Sequence, residues 1–313
     1  GVENIEVDHL SASQLNKFSI CPLTYLYNYN LGIKAPRKVN SGFDSMEEGT
    51  LMHEAFEDFG KKVNEGKNPN YELMKDVLSS IYDKKSENLS KKNIFHDLVF
   101  EEFKKGLNND DNKGVLARFV DYVVQNNHEF EGLRNSEFEK EFYLNKNLEI
   151  TDSEDDFFIK GFIDRIDNLS NYVNVIDYKS KTNITNESKK IKDFKEFQLS
   201  LYTLYAKQLY KKDVVSSFLT FKIKDKDYTE YSKTTTDRNK AFKLVNVGKK
   251  NEKENEIAVY FDDEFEENLK KRIFEIKDNI ENGKFYFDNS DEDVCKYCDI
   301  RYICHQSLLT KEL

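Results

Sequence analysis

The residues best placed to do chemistry lie between Gly161 and Lys179, in the stretch GFIDRIDNLSNYVNVIDYK. Asp177 and Lys179 are two positions apart. On an extended backbone alternate side chains share a face, so this carboxylate and this ammonium project together, while Ile176 and Tyr178 project the other way. Asp164 closes the apolar part of the preceding run and can meet Asp177 across a hairpin. Two carboxylates beside an ammonium suit a hard cation such as Mg²⁺, with the lysine able to orient a water or offset negative charge as it develops. A D-x-K on a strand is more often a solvated charge pair. Here, however, the acid follows the apolar run 173–176, and an acid at the end of a buried strand needs a partner or a metal.

These side chains require particular elements to hold them. Residues 157–167 are rich in Phe and Ile and residues 172–179 in Val and Ile, with Asn168, Ser170 and Asn171 between them, which predicts a β-hairpin. Residues 137–144 alternate aromatic or basic positions with Glu137, Glu139 and Glu141, a strand pattern leading into the hairpin. Glu139 or Glu141 can face the site, although a solvated strand face is the simpler expectation. After the hairpin, residues 192–210 predict a helix in which Gln198 and Tyr202 are one turn apart on a stripe continued by Leu201, Tyr205 and Leu209. An amide in an apolar stripe needs hydrogen-bond partners. A strand at 214–224, its hairpin mate at 228–233, a polar loop at 238–256 and a helix at 265–283 follow.

Upstream, a capping serine (Ser11 or Ser13) opens a short helix that breaks at Cys21-Pro22 before a second one. Thr50 is a plausible cap for a helix ending near Gly60, on which His53, Phe56 and Glu57 share a face. A lone histidine on such a face is usually a packed, hydrogen-bonded residue. Residues 61–136 repeat apolar positions at helical spacing and carry no catalytic pattern, so they read as a helical insertion.

The chain has 313 residues, room for one large domain or two ordinary ones. Its 24 Phe and 18 Tyr supply an aromatic core, and a composition that is 38% hydrophobic and 34% charged is that of a globular protein, not a disordered one. No apolar run reaches membrane-spanning length and GVENIEVDHL is no signal peptide, so the expected compartment is the cytoplasm, with no membrane partner. A chain beginning at Gly1 rather than Met reads as an excised piece. The net charge of −10 argues by itself against binding nucleic acid, since phosphate contacts need Lys and Arg. Yet Lys179, Lys181, Lys189, Lys190, Lys192 and Lys195 crowd the segment after the hairpin, and acidic groups elsewhere mask such a patch in the sum.

The four cysteines are Cys21, Cys295, Cys298 and Cys304, the last three in C-x2-C-x5-C. The composition argues against disulfides. Closely spaced thiolates can reach one metal centre, and one four-ligand set uses every cysteine in the chain. On spacing alone, zinc and an iron–sulfur cluster are both open.

Taken in order, S-x-L…C-P, G-T-x-x-H-E, G-x-I-D-R-I-D, V-I-D-Y-K, Q-x-x-x-Y and C-x2-C-x5-C resemble the PD-(D/E)XK nucleases. Within these the likeness is to the iron–sulfur form of the RecB-type branch, which includes the nuclease domain of AddB-type helicase–nucleases and the four-cysteine nucleases of CRISPR adaptation. The resemblance spans residues 10–305. It implies a restriction-endonuclease-like α/β fold, with a mixed central sheet flanked by helices, in a single domain over residues 1–313. Within it, 61–136 would be a helical insertion, 137–233 the catalytic core, and 1–32 and 284–313 the cluster-binding ends. It also implies that His53, Asp164 and Asp177 hold one or two Mg²⁺ or Mn²⁺ ions, with the Tyr178 carbonyl as a further ligand. Lys179 would be the catalytic lysine, Gln198 and Tyr202 would support the site and contact DNA, and the four cysteines would carry a [4Fe–4S] cluster stapling the two ends together. The first acidic motif lacks a proline before Asp164, as is usual in this branch.

The implied activity is metal-dependent hydrolysis of DNA, exonuclease rather than endonuclease, on ends or single strands in recombination and repair. DNA would be the partner, with a helicase subunit or further domains of a longer chain. Two readings of other classes stand beside it. One is a catalytically idle DNA-binding scaffold of a helicase–nuclease or CRISPR-adaptation complex, against which the intact His53, Asp164, Asp177 and Lys179 set speaks. The other is a zinc-stabilised structural domain, which would be colourless where a cluster protein is brown.

Overall fold

The computed structural model describes residues 6–33, 45–88, 94–108, 113–152, 154, 156–179, 189–221, 228–235, 245–247, 259–287, 292–296, 298, 300, 301, 303 and 304. Its centre is the expected hairpin. β2 (Ile159–Asn168) and β3 (Tyr172–Lys179) pair antiparallel, with Arg165 opposite Ile176 and Ile166 opposite Val175. β1 (Ser136–Leu144) adds antiparallel to β2, and β4 (Asp213–Phe221) adds parallel to β3. A parallel neighbour requires a crossover, and here the crossover contains α8 (Gln198–Tyr210). β5 (Tyr228–Thr235) returns antiparallel, as expected for the mate of β4. β6 (Val245–Val247) and β7 (Val259–Tyr260) both pair with β5. The result is a mixed sheet in the order β1-β2-β3-β4-β5-β6.

Helices cover both faces. On one side α1 (Ala12–Ile20), α8 and α9 (Asp263–Glu281) bury Leu15, Phe18, Leu201 and Ile273 with Ile166 and Val175 of the sheet. On the other side lie α3 (Ser45–Asn64), α4 (Tyr71–Asn88), α5 (Ile94–Asn108), α6 (Val115–Gln125) and α7 (Asn127–Leu133). Their Phe56, Phe59, Leu78 and Phe119 pack with Ile176, Tyr178 and Leu219. Each large apolar side chain buried this way contributes about 1.5–3 kcal/mol, and the described helices of 61–136 build this second core together with α3 and the sheet.

The boundaries follow local chemistry. Ser11 and Gln14 cap α1 reciprocally, at 3.3 and 2.8 Å, and Pro22 opens α2 (Pro22–Tyr25) at the predicted break. Two helices depart from expectation. α3 begins at Ser45 rather than Thr50 and runs through Gly60. That glycine does not end a helix; it makes room for β1, since a Cβ there would lie 2.3 Å from the Phe138 ring. α8 begins at Gln198 rather than Lys192. Phe194 has a left-handed φ of 49°, and the Phe197 N–H donates to Asn16 Oδ1 at 2.7 Å, so the chain is turned and pinned before the helix starts. β6 lies inside the stretch expected to be a polar loop; the rest of that stretch, and Lys181, fall outside the described residues. No described helix is long and apolar enough to cross a membrane.

Candidate active site

The site forms where two strands change sides. Glu139, in β1, has a φ of 47° and sits between Phe138, which pairs with Arg165, and Lys140, which pairs with Ile163. A regular strand would put residues 138 and 142 on one face. Instead Phe138 packs on the α3–α7 core and Phe142 on the α8 core. β2 switches in step: Ile163 belongs to the α8 core, while Arg165 Nη1 donates to the Tyr178 hydroxyl, which lies on the other. Glu139 and Asp164 therefore stand at the seam between the two cores.

α3 brings His53 to the same seam. Its Nδ1 is 3.4 Å from Asp164 Oδ2, and the ligand atoms of His53, Glu139 and Asp164 all lie within 4.8 Å of one another. The Tyr178 N–H donates to Asp164 Oδ2 at 2.7 Å, which fixes the carboxyl against the end of β3. Asp177 lies outside that triangle. Its Oδ2 is drawn to the Lys179 ammonium at 2.6 Å, and its Oδ1, fully buried, has no hydrogen-bond partner among the described residues. Lys179 in turn donates to Gln198 Oε1 at 3.0 Å, and Gln198 Nε2 donates to the Tyr202 hydroxyl at 2.7 Å. The amide that looked out of place in an apolar stripe thus has a partner at each end.

The electrostatics reflect crowding of acids around the buried Asp177, at a site where Glu139 is open to solvent. Burial, then the neighbouring Asp177, raises Asp164 well above the usual carboxylate range. Burial lowers His53 and outweighs the pull of Asp177. Burial also pushes Lys179 downward, but its contact with Asp177 prevails and the ammonium is held above its ordinary value. Burial, then Asp177 and Asp164, lift Tyr202 far out of the physiological range, so its hydroxyl stays protonated. Glu139 is raised by burial and by Glu57.

A hard divalent cation fits this donor set. One imidazole and two carboxylates converge, and beside them the buried Asp177 carboxylate has an oxygen with no donor, which is what a cation would satisfy. Of the ligands implied by the resemblance, His53 and Asp164 meet directly, the Tyr178 main chain touches Asp164, and Asp177 is paired with Lys179. Of the two glutamates that the sequence allowed to face the site, against the simpler expectation of a solvated strand face, Glu139 is the one that joins His53 and Asp164. Strict alternation made it one of three interchangeable glutamates, and a left-handed backbone at a glutamate has no signature in the sequence.

The cysteines behave differently. None is in a disulfide, and Cys21 and Cys304 are buried. Cys298 Sγ lies 3.6 Å from Thr24 Oγ1, and the Leu23 N–H donates to the Tyr286 carbonyl at 3.2 Å, so the segment that follows Cys21 touches the one that carries Cys298. Among the described residues the four thiols do not form a ligand group of the kind that His53, Glu139 and Asp164 do.

Comparison with curated proteins returned no match. A family model described as the PD-(D/E)XK nuclease superfamily matches residues 9–305, a span that takes in β1 to β4, α8, His53 and the C-terminal cysteines. With the mixed sheet and the acid-lysine seam at its centre, the chain belongs to the PD-(D/E)XK nuclease superfamily.

Proposed function

We propose that this chain is a Mg²⁺- or Mn²⁺-dependent deoxyribonuclease, an exonuclease that works on DNA ends or single strands in recombination or repair. The observation that carries this reading is Asp177: a buried carboxylate with one oxygen on Lys179 and the other unpartnered, beside the converging His53, Glu139 and Asp164. His53, Glu139 and Asp164 would hold the cation, with Asp177 Oδ1 as a further oxygen donor. When bound, the ion supplies a Lewis acid for the phosphoryl oxygens and a lowered pKa for a coordinated water. The chain's own residues do the rest. Lys179, kept protonated by Asp177, places a fixed positive charge where negative charge grows on the phosphate. Gln198, itself bonded to Tyr202, holds that ammonium in one direction.

Removal of Lys179 should separate chemistry from ion binding. End-labelled DNA should be cut with Mg²⁺ or Mn²⁺, spared in EDTA, and spared by Lys179→Ala. Cleavage that persists in EDTA, or no cleavage of any DNA with either ion, contradicts the reading. We further propose that the four cysteines carry a [4Fe–4S] cluster joining the two ends, as in the iron–sulfur branch. The burial of Cys21 and Cys304 and the Thr24–Cys298 contact support it. Anaerobically purified protein should then be brown, and stoichiometric zinc without iron would refute the cluster.

A further inference from the structure

A cleft of about 510 Å³ opens beside the seam, between the first turn of α1 and the outer end of β2. That volume is in the range of pockets that enclose a small ligand or one nucleotide unit. Gln198 and Tyr202 form its inner wall, and these are the residues that hold Lys179. Its outer rim is aromatic. Phe162 is 47% exposed, and His9 and Phe157 stand with ring centroids 5.5 Å apart. Lys160 lies over Phe162, its Nζ 5.4 Å from the ring centroid.

Single exposed aromatics are ordinary on a protein surface. Three aromatic rings on the rim of one cleft, with a cation over one of them, are not explained by core packing. Phe162 is also only two residues before Asp164 on β2, about 6.6 Å along the strand. We infer that this cleft is a base-stacking subsite for single-stranded DNA. A nucleotide next to the scissile phosphate would place its base against Phe162, between that ring and the His9–Phe157 pair. An unpaired base has a free π-face for such a platform, whereas in a duplex the neighbouring pairs cover it. The inference rests on the nuclease reading above and adds to it a preference for a single strand.

The test is fluorescence anisotropy in EDTA, so that no strand is cut, with a labelled oligothymidine and a labelled blunt duplex of the same length. Phe162→Ala should weaken the single strand about tenfold or more, the worth of one stacked base, and leave the duplex within twofold. Phe162→Tyr should restore the single strand. A strand carrying abasic sites should bind the wild type and Phe162→Ala alike. Equal binding of the oligothymidine by both proteins overturns the subsite while leaving the nuclease reading intact. An equal loss on strand and duplex overturns the single-strand preference. A wild-type protein that binds neither and cuts no DNA when Mg²⁺ is restored removes the nuclease reading, and the subsite with it.

Discussion

Two aspartates in one strand have opposite surroundings. Asp167 is enclosed by donors: Arg165 reaches both its oxygens, at 2.6 and 2.7 Å, Ser136 Oγ donates at 2.5 Å, and Asn174 Nδ2 lies at 3.4 Å. Arg165 is itself fully buried and spends Nη1 on Tyr178. Asp164, three residues earlier, receives one main-chain N–H and a histidine, and faces Asp177 and Glu139. A buried ion pair holds a fold together when every lone pair is used, and is costly when one is not. Asp167 is therefore an architectural acid, tying β2 to β1 and β3. In the proposed function, Asp164 and Asp177 are instead the acids that receive a cation. Burial depth does not tell Asp167 from Asp177, each 1% exposed, but the supply of donors does.

The comparison is broken most completely at Asp177. Asp177→Ala should reduce DNA cleavage to background, because it removes an oxygen donor and frees Lys179. In EDTA it should fold at least as stably as the wild type, because it removes a buried acid with an unpartnered oxygen. Asp167→Ala should do the reverse. Leaving Arg165 buried without its partner costs about 3–5 kcal/mol, read as a lower urea midpoint that no divalent cation restores. A smaller effect is expected one layer out. Gln198→Ala leaves the acids in place but lets the Lys179 ammonium wander, so turnover should fall roughly 10- to 100-fold with little change in melting temperature. A large loss of stability at normal specific activity would make Gln198 a packing residue instead.

The gentlest probe is pH. Burial raises Asp164 above its ordinary value of 3.8, so the folded chain holds this proton more tightly than the unfolded chain. The stabilisation is complete below the ordinary value and is lost as pH rises through the folded value. In EDTA the contribution of this group to the melting temperature should thus decline with rising pH, and Asp164→Asn should flatten that decline and melt higher at neutral pH. A steeper decline in the variant would mean that the carboxylate is stabilising even without an ion.

Much of this was legible in the sequence because it depends on period and turn chemistry. The runs of Ile and Val around Asn168–Asn171 fix the β2–β3 hairpin, and alternation along it places Asp177 beside Lys179. Ser11 and the Cys21-Pro22 break are local signals and lie where expected. What could not be read depends on contacts distant in sequence. Gly60 looks like a helix stop until Phe138 is packed against it. The start of α8 is set by Asn16, which is 181 residues from its partner. The motif G-x-I-D-R-I-D contains both kinds of aspartate with nothing to distinguish them, since Ser136 and Asn174 lie outside it. Glu139 could not be told from Glu141 for a different reason: a single left-handed residue reverses the faces of β1, and a strict period of two cannot anticipate it.

The most direct test of the claim that Asp164 and Asp177 are left unsatisfied for a cation needs no DNA. Calorimetric titration of Mn²⁺ into metal-free protein should show one or two sites per chain in the wild type. Lys179→Ala should retain them, Asp177→Ala should lose affinity sharply, and the affinity of the wild type should rise with pH as the proton on Asp164 is displaced. Mn²⁺ binding that is identical in Asp177→Ala and the wild type, or absent from the wild type, would contradict the account.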